Sequence, residues 1–500
     1  MEINFENRQI NTFKEVLYQT KLIQETVETV VPDTDDDIGM LVNVQSAVLL
    51  KSKDITSRGV LISGEVNASL IYINESQEKL SCIKIRKGFS AEYEIQEFDP
   101  ETLAQIKLHI ISSEARIINP RKVSLTFEIA GELICYANEE LSIEYGLPSD
   151  VCSGLHAKYE NVELNVIKTV CEKTFSINEQ FGFSGGKPKP VKLLSANVEL
   201  NINETQFVGT KVIVKGNADI SIAYLSDEVN YPLKAEFSTL FSQIIDLGEN
   251  EIDCCSIIPA LTGLYYSLAE SISGDKVADI EIHALLQLCC RSNKEMLYIS
   301  DVYSNLMKTD FVLENKTINS KINEKKLKVS GDERINVADE CTDVLSIFTS
   351  DTKLVQTENC IKIGLNIDVI YKNKNGQFSA VRKMIMMQTE FPEESFRISK
   401  MRLSNIYFRP DGQYLDCHVS AELSLEICSI LEIEKIEAVE LKEDETMDFD
   451  NYPTLTLVRC SGESLWELAK TYHSSVEKIT ASNALTTELD GRMILVPKCI

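Results

Sequence analysis

The 500-residue sequence has one tryptophan, five histidines and twelve prolines. A membrane-spanning helix needs about 20 consecutive apolar residues, and no segment approaches that length. The opening stretch "MEINFENRQINTFKEVLYQT" carries Glu2 and Glu6 and lacks the apolar core of a signal peptide. Basic residues are also scarce. Lys plus Arg number 50 against 77 Asp plus Glu, a formal net charge of −27. With no basic patch in the sequence, nucleic acid and anionic membranes are not expected partners; a basic protein surface would be attracted.

The spacings that carry common chemistries are missing too. There are 14 cysteines but no C-x-x-C, which removes zinc ribbons and thioredoxin-like redox sites. Without a secretion signal the thiols are expected to be reduced, serving as small apolar side chains inside strands. The neighbours Cys254-Cys255 and Cys289-Cys290 should point to opposite strand faces. His109, His156, His283, His418 and His473 never reach H-x-x-x-H spacing, and no G-x-S-x-G occurs. The run "DTDDDIG" (Asp33, Asp35, Asp37) resembles the start of a calcium loop, but its glycine falls at Gly39, one place late, and Val44 stands where the bidentate Glu belongs. A solvated turn is expected there. "GGKPKP" at 185–190 lacks the spacing of a phosphate loop and reads as a stiff linker. Neither an enzyme, a cofactor nor a metal site is expected.

Hydrophobic residues at 44% and charged residues at 25% describe ordinary globular material, and 500 residues exceed one core. The body alternates with period two and repeats itself. "RGVLISGEVNASLIYI", "TKVIVKGNADISIAYL" and "ENCIKIGLNIDVIYKN" align on Tyr72, Tyr224 and Tyr371. In that register Ile62, Val214 and Ile361 coincide, as do Val66, Ala218 and Leu365, and Leu70, Ile222 and Val369. Gly64, Gly216 and, one place later, Gly364 interrupt the pattern, which suggests a bulge or a close approach of a neighbour. Each copy has a second block downstream, aligned on Gly131, Ala284 and Ala421 with Ile129, Ile282 and Val419, and with Leu133, Leu286 and Leu423. A repeat of about 150 residues is too long for a solenoid, so separate β-domains are expected over 1–148, 149–294 and 295–440.

These repeats, with their Pro-containing linkers and recurring glycine and tyrosine, resemble the SPOCS domain of spore-coat proteins over roughly residues 20–430. After Leu431 the acidic run "EIEKIEAVELKEDETMDFDNYP" reads as exposed linker, with 441–452 as the connection to a last domain at 453–500. There "TLTLVRC" alternates like a strand and Ser461 or Ser464 offers a helix N-cap. Leu465, Leu468, Ala469 and Tyr472 form one helical stripe. "SSVEKITASN" gives a second helix and "RMILVP" a closing strand. The order β-α-α-β, with Gly462-Glu463-Ser464-Leu465-Trp466, Leu468-Ala469, Asn483, Gly491, Leu495 and Pro497 in place, resembles a LysM module. The fold class expected is therefore mainly β: three tandem SPOCS-like domains and a small LysM-like module.

The LysM resemblance implies an N-acetylglucosamine groove at Gly462, Glu463, Ser464, Asn483, Ala484, Leu485 and Thr486. Trp466 lies about 100° round the helix from Leu465, at the rim of the core, where it can cover that rim or anchor a partner. The two resemblances together are those of clostridial coat morphogenetic proteins. They imply a scaffold made in the mother-cell cytoplasm and recruited to the forespore surface, which binds the coat-basement ATPase SpoIVA and other coat proteins through its LysM module. Three other readings stand beside this one: a protein binding wall or cortex peptidoglycan, self-association through exposed strand edges with later cysteine crosslinking, and an enzyme with its site between β-domains.

Overall fold

The fold is mainly β. The structure, a computed structural model, describes the chain except residues 1, 4, 76–79, 96–100, 148–153, 184–185, 230, 249–250, 358–359, 392–395, 447–452, 484–490 and 499–500. After a short β1 (Glu2–Ile3), one six-strand pattern occurs three times. The first set is β2 (Glu6–Val30), β3 (Ile38–Thr56), β4 (Gly59–Asn74), β5 (Leu80–Glu94), β6 (Leu103–Asn119) and β7 (Lys122–Gly146). The second is β8 (Leu155–Gly182), β9 (Pro190–Val208), β10 (Lys211–Ser226), β11 (Leu233–Asp246), β12 (Cys254–Glu270) and β13 (Lys276–Ser304). The third is β14 (Met307–Asn336), β15 (Cys341–Thr357), β16 (Cys360–Asn373), β17 (Phe378–Glu390), β18 (Phe396–Asp411) and β19 (Tyr414–Thr446).

Within each set the second, third and fourth strands form an antiparallel meander, while the first and last pair as a long ribbon with the fifth on its edge. The aligned apolar residues of the repeats lie on the central meander strands β4, β10 and β16. Tyr72, Tyr224 and Tyr371 are each no more than 1% exposed. The second aligned block lies on β7, β13 and β19, where Ile129, Ile282, Val419 and the matching leucines are equally buried. Burying such a side chain contributes about 1.5–3 kcal/mol, so matched alternation on these two strands per set defines the packing faces.

The strand glycines allow close approach. A Cβ on Gly64 would meet the Phe89 ring at 2.3 Å, and one on Gly216 would meet the Phe241 ring at 2.4 Å. Each phenylalanine comes from the next meander strand and fills the notch.

The three sets share cores. One cluster joins Val42 and Ile71 of the first set, Leu194 and Ala223 of the second, and Phe348 and Ile370 of the third. At the far ends of the ribbons another joins Ile10 and Leu141, Val162 and Met296, and Ile433. β1 crosses from the first set to pair with β19, Ile3 opposite Val439.

Strand ends depart from the expected boundaries in two places. Residue 294 is interior to β13, which runs on to Ser304; the run after Arg291 looked polar because only one ribbon face is buried there. The acidic stretch after Leu431 is not linker as far as Thr446. It is the end of β19, with Ile433, Ile436, Val439 and Leu441 each at most 4% exposed. A bulge opposite Val312 and Leu313 breaks strict alternation there, so the buried set follows neither period. The 148/149 boundary and residues 447–452 lie outside the described residues.

Against the expectation of reduced thiols, Cys255 and Cys290 form a disulfide. They stand directly opposite each other on β12 and β13, with Cα atoms 4.0 Å apart. Their neighbours do point the other way: Cys289 packs with Tyr136, whereas Cys290 packs with Val212 and Leu286. The aspartate run at 33–37 is a turn with Asp33 and Asp36 exposed, as expected, although Asp37 is paired. Arg121 donates to Asp37 at 2.6 Å, and Tyr72 donates its hydroxyl to the Asp36 carbonyl at 3.1 Å. Among the described residues, no helix is long and apolar enough to cross a membrane, and no group of three or more His, Cys, Asp or Glu could hold a metal ion.

Candidate functional site

The C-terminal residues form the β-α-α-β order read from the sequence: β20 (Leu455–Arg459), α1 (Leu465–Thr471), α2 (Val476–Asn483) and β21 (Met493–Pro497), with β20 and β21 antiparallel. Ser464 is the N-cap of α1. Its hydroxyl accepts from the Glu467 backbone, and the Glu467 carboxylate accepts from the Ser464 backbone at 2.7 Å, a reciprocal capping box. Leu468 and Ala469 are buried, with Leu465 and Tyr472 packed beside them, so the expected stripe faces the core.

Gly462, Glu463 and Ser464 sit together at the corner between β20 and α1. Gly462 has φ +109°, which explains a glycine at that corner. The Glu463 carboxylate accepts from the Ser461 backbone at 2.6 Å, which holds its pKa below the usual range, and the capping bond does the same for Glu467. Asn483 closes α2. Its amide donates to the Ile479 carbonyl and the Leu495 carbonyl and accepts from the Leu495 backbone, at 2.6–2.7 Å. Each of these three polar side chains therefore has a partner inside the module. Ala484, Leu485 and Thr486 lie outside the described residues.

Trp466 turns to the body of the protein. Its indole N–H donates to Asp301 Oδ2 at 2.7 Å, and its ring meets Tyr303 edge-on at 4.8 Å. Lys470, one turn further along α1, donates to both Asp301 oxygens at 2.7 and 2.8 Å. Its ammonium also stands 5.2 Å from the centre of the Phe311 ring. Tyr303 donates its hydroxyl to the Ser474 carbonyl at 2.8 Å and packs into the same cluster as Leu468, Ile479, Ile494 and Val496. His156 stacks on Tyr303 from β8, 5.0 Å between rings; burial lowers its pKa, and Glu477 on α2 partly offsets that. The module thus packs against the end of β13, with Phe311 of β14 and His156 of β8 beside the seam. Asp301, Tyr303 and Lys470 were missed in the sequence because nothing in "YISDVYSN" marks its aspartate and tyrosine as receptors for residues over 160 positions away.

A cavity of about 1970 Å³ opens between the sets. β3 packs on β12 and β15 on β6, but the corresponding β9 and β18 line the cavity instead of closing on each other. Its charged groups face each other across set boundaries. Arg397 on β18 makes a bidentate pair with Glu15 on β2 and lies 4.5 Å over the Tyr18 ring. Arg291 donates to Ser256 at 3.0 Å, and Ser256 to Glu426 at 3.2 Å. Burial pushes the Glu199 carboxyl up and the Lys400 ammonium down, each offset in part by the other's charge. Such pairs hold the three sets in place. They do not converge on one point as a nucleophile, base and orienting group must.

Comparison with protein families, with curated proteins and with solved structures finds no match to this chain.

Proposed function

We propose that this chain is a non-enzymatic scaffold of the spore coat that uses its LysM-like module to bind protein. The sequence resemblances point to this reading: three SPOCS-like repeats followed by one LysM-like module resemble the clostridial coat morphogenetic protein SipL, whose partner is the coat-basement ATPase SpoIVA. One observation favours a protein ligand over a glycan. A sugar groove needs unspent donors and acceptors, and the side chains of Glu463, Ser464 and Asn483 are all bonded within the module. The exposed corner at Gly462 and Glu463 carries negative charge, suited to a basic protein surface.

The test uses the full chain, immobilised, against purified coat-basement ATPase and, separately, against isolated peptidoglycan. Saturable binding to the ATPase, weakened by Glu463→Lys in a protein with unchanged circular dichroism, supports the scaffold reading. Binding to peptidoglycan alone overturns it and makes the chain a wall or cortex protein.

A further inference from the structure

Each three-stranded meander has two edge strands, one of them its last strand, β5, β11 or β17, paired on one side only. Two of these edges are covered. On β5 the Glu92 carbonyl accepts from Lys21 of β2, and Lys87 pairs with Glu25 at 3.1 Å. β17 lies so close to β14 that a Cβ on Gly331 would come within 2.7 Å of the Met386 carbonyl oxygen. The edge of β11 differs. Among the described residues, no hydrogen bond reaches its backbone from outside its own meander; β8 meets it by side-chain packing, including the ring pairs Phe175 with Phe241 and Phe181 with Phe237.

Charge sets β11 apart as well. Lys84, Arg86 and Lys87 stand in mid-β5, and Arg382 and Lys383 in β17. Such residues keep foreign strands off an edge. In β11 the run from Phe237 to Ile245 carries no charge, and it presents Leu240, 81% exposed, and Ile244, 60% exposed, on the outer face.

We propose that β11 pairs antiparallel with β11 of a second copy of this chain, on a two-fold axis through Leu240. Residues directly opposite in an antiparallel pair share a face, so the charges at the strand ends select the register. An axis through Leu240 sets Leu240 opposite its own copy, Ser238 opposite Ser242, and Lys234 opposite Asp246 of the partner subunit at both ends. Moving the axis one residue to Phe241 would set Glu236 against Asp246 instead. The Leu240 register thus pairs opposite charges at each end, sets Glu236 opposite Ile244 of the partner subunit, and leaves Phe237 to Gln243 between them without charge. It joins two three-stranded meanders into one six-stranded sheet, a strand addition in which main-chain bonds give the affinity. The inference does not depend on what the C-terminal module binds.

Sedimentation of the full chain across concentration and salt tests this. A monomer–dimer equilibrium is expected, tightening with salt because a formal charge of −27 on each copy opposes association. Leu240→Lys puts two ammonium groups on the axis and should weaken the dimer at least tenfold. Asp246→Lys alone should weaken it, and adding Lys234→Asp should restore it. Under oxidation Leu240→Cys should give a covalent dimer. A chain monomeric at every concentration, a dimer indifferent to Leu240→Lys, or a charge swap without rescue each overturns the proposal; circular dichroism confirms that every variant is folded.

Discussion

Asp301 accepts three hydrogen bonds from α1, one from the Trp466 indole and two from the Lys470 ammonium. It is the hinge-pin between module and body. Asp301→Ala leaves both donors facing a half-buried seam, which costs about 1–2 kcal/mol after allowing for the solvent that reaches Lys470. Because Trp466 is the chain's one tryptophan, the loss is directly visible. Its emission should shift to longer wavelength, and a protease should release a fragment of module size faster. Unchanged emission and unchanged proteolysis would show that the aromatic contacts with Tyr303 alone hold the module. Acid acts on the same seam. Burial lowers the pKa of His156 and His473, and of His109 in the body. A histidine with a folded pKa below its unfolded value gives its full contribution above about pH 6.5, and that contribution is lost as pH falls toward the folded pKa. Glu199, pushed up by burial, has the opposite sign, so a variant must isolate the effect. His156→Phe keeps a ring on Tyr303 and should flatten the fall of Tm between pH 7 and pH 5. A parallel fall in variant and parent would assign the acid sensitivity elsewhere.

Elements show which parts of this fold sequence can announce. The central strands β4, β10 and β16 were legible because each buries every second position from Ile62, Val214 or Ile361 to its tyrosine, both faces being buried chiefly near that tyrosine. The helical stripe of α1 was legible for the same reason, since periodicity records the face an element buries. The end of β19 was not. Its buried residues straddle a bulge and lie among six glutamates between Glu432 and Glu445, so composition outweighed pattern. The β11 edge and the Asp301 seam were not legible either, because each depends on what a distant strand does or does not cover. The reading of β19 can be checked by truncation. Ending the chain after Thr446 removes the module and leaves β14 paired along its length. Ending it at Glu440 also removes Leu441, which is 2% exposed beside Ile299 and Val302, and frees Asp310 from Lys442. The shorter form should be less stable in urea by about 2–3 kcal/mol, mostly for the lost leucine. Equal midpoints would return 441–446 to the role of linker.

On the scale of the whole molecule, the repeats have become one body. Three domains strung on linkers would bury separate cores, but here the meanders meet in a common cluster and the ribbons meet in another. Glu15 with Arg397, and Asn43 donating to Asp368 at 2.7 Å, tie the first set to the third. Such coupling makes unfolding cooperative across set boundaries. Phe348 tests it, because it is 1% exposed where all three meanders touch. Phe348→Ala should cost about 3–5 kcal/mol, within the range for emptying an aromatic site in a core. The effect should reach the far side of the molecule. Trp466 sits against β13, on the second set, while Phe348 belongs to the third. In a coupled body, circular dichroism and Trp466 fluorescence follow a single urea transition, and both move together in the variant. If the sets are independent, circular dichroism splits into two steps while the tryptophan transition keeps its parental midpoint, and the shared clusters then add little to stability.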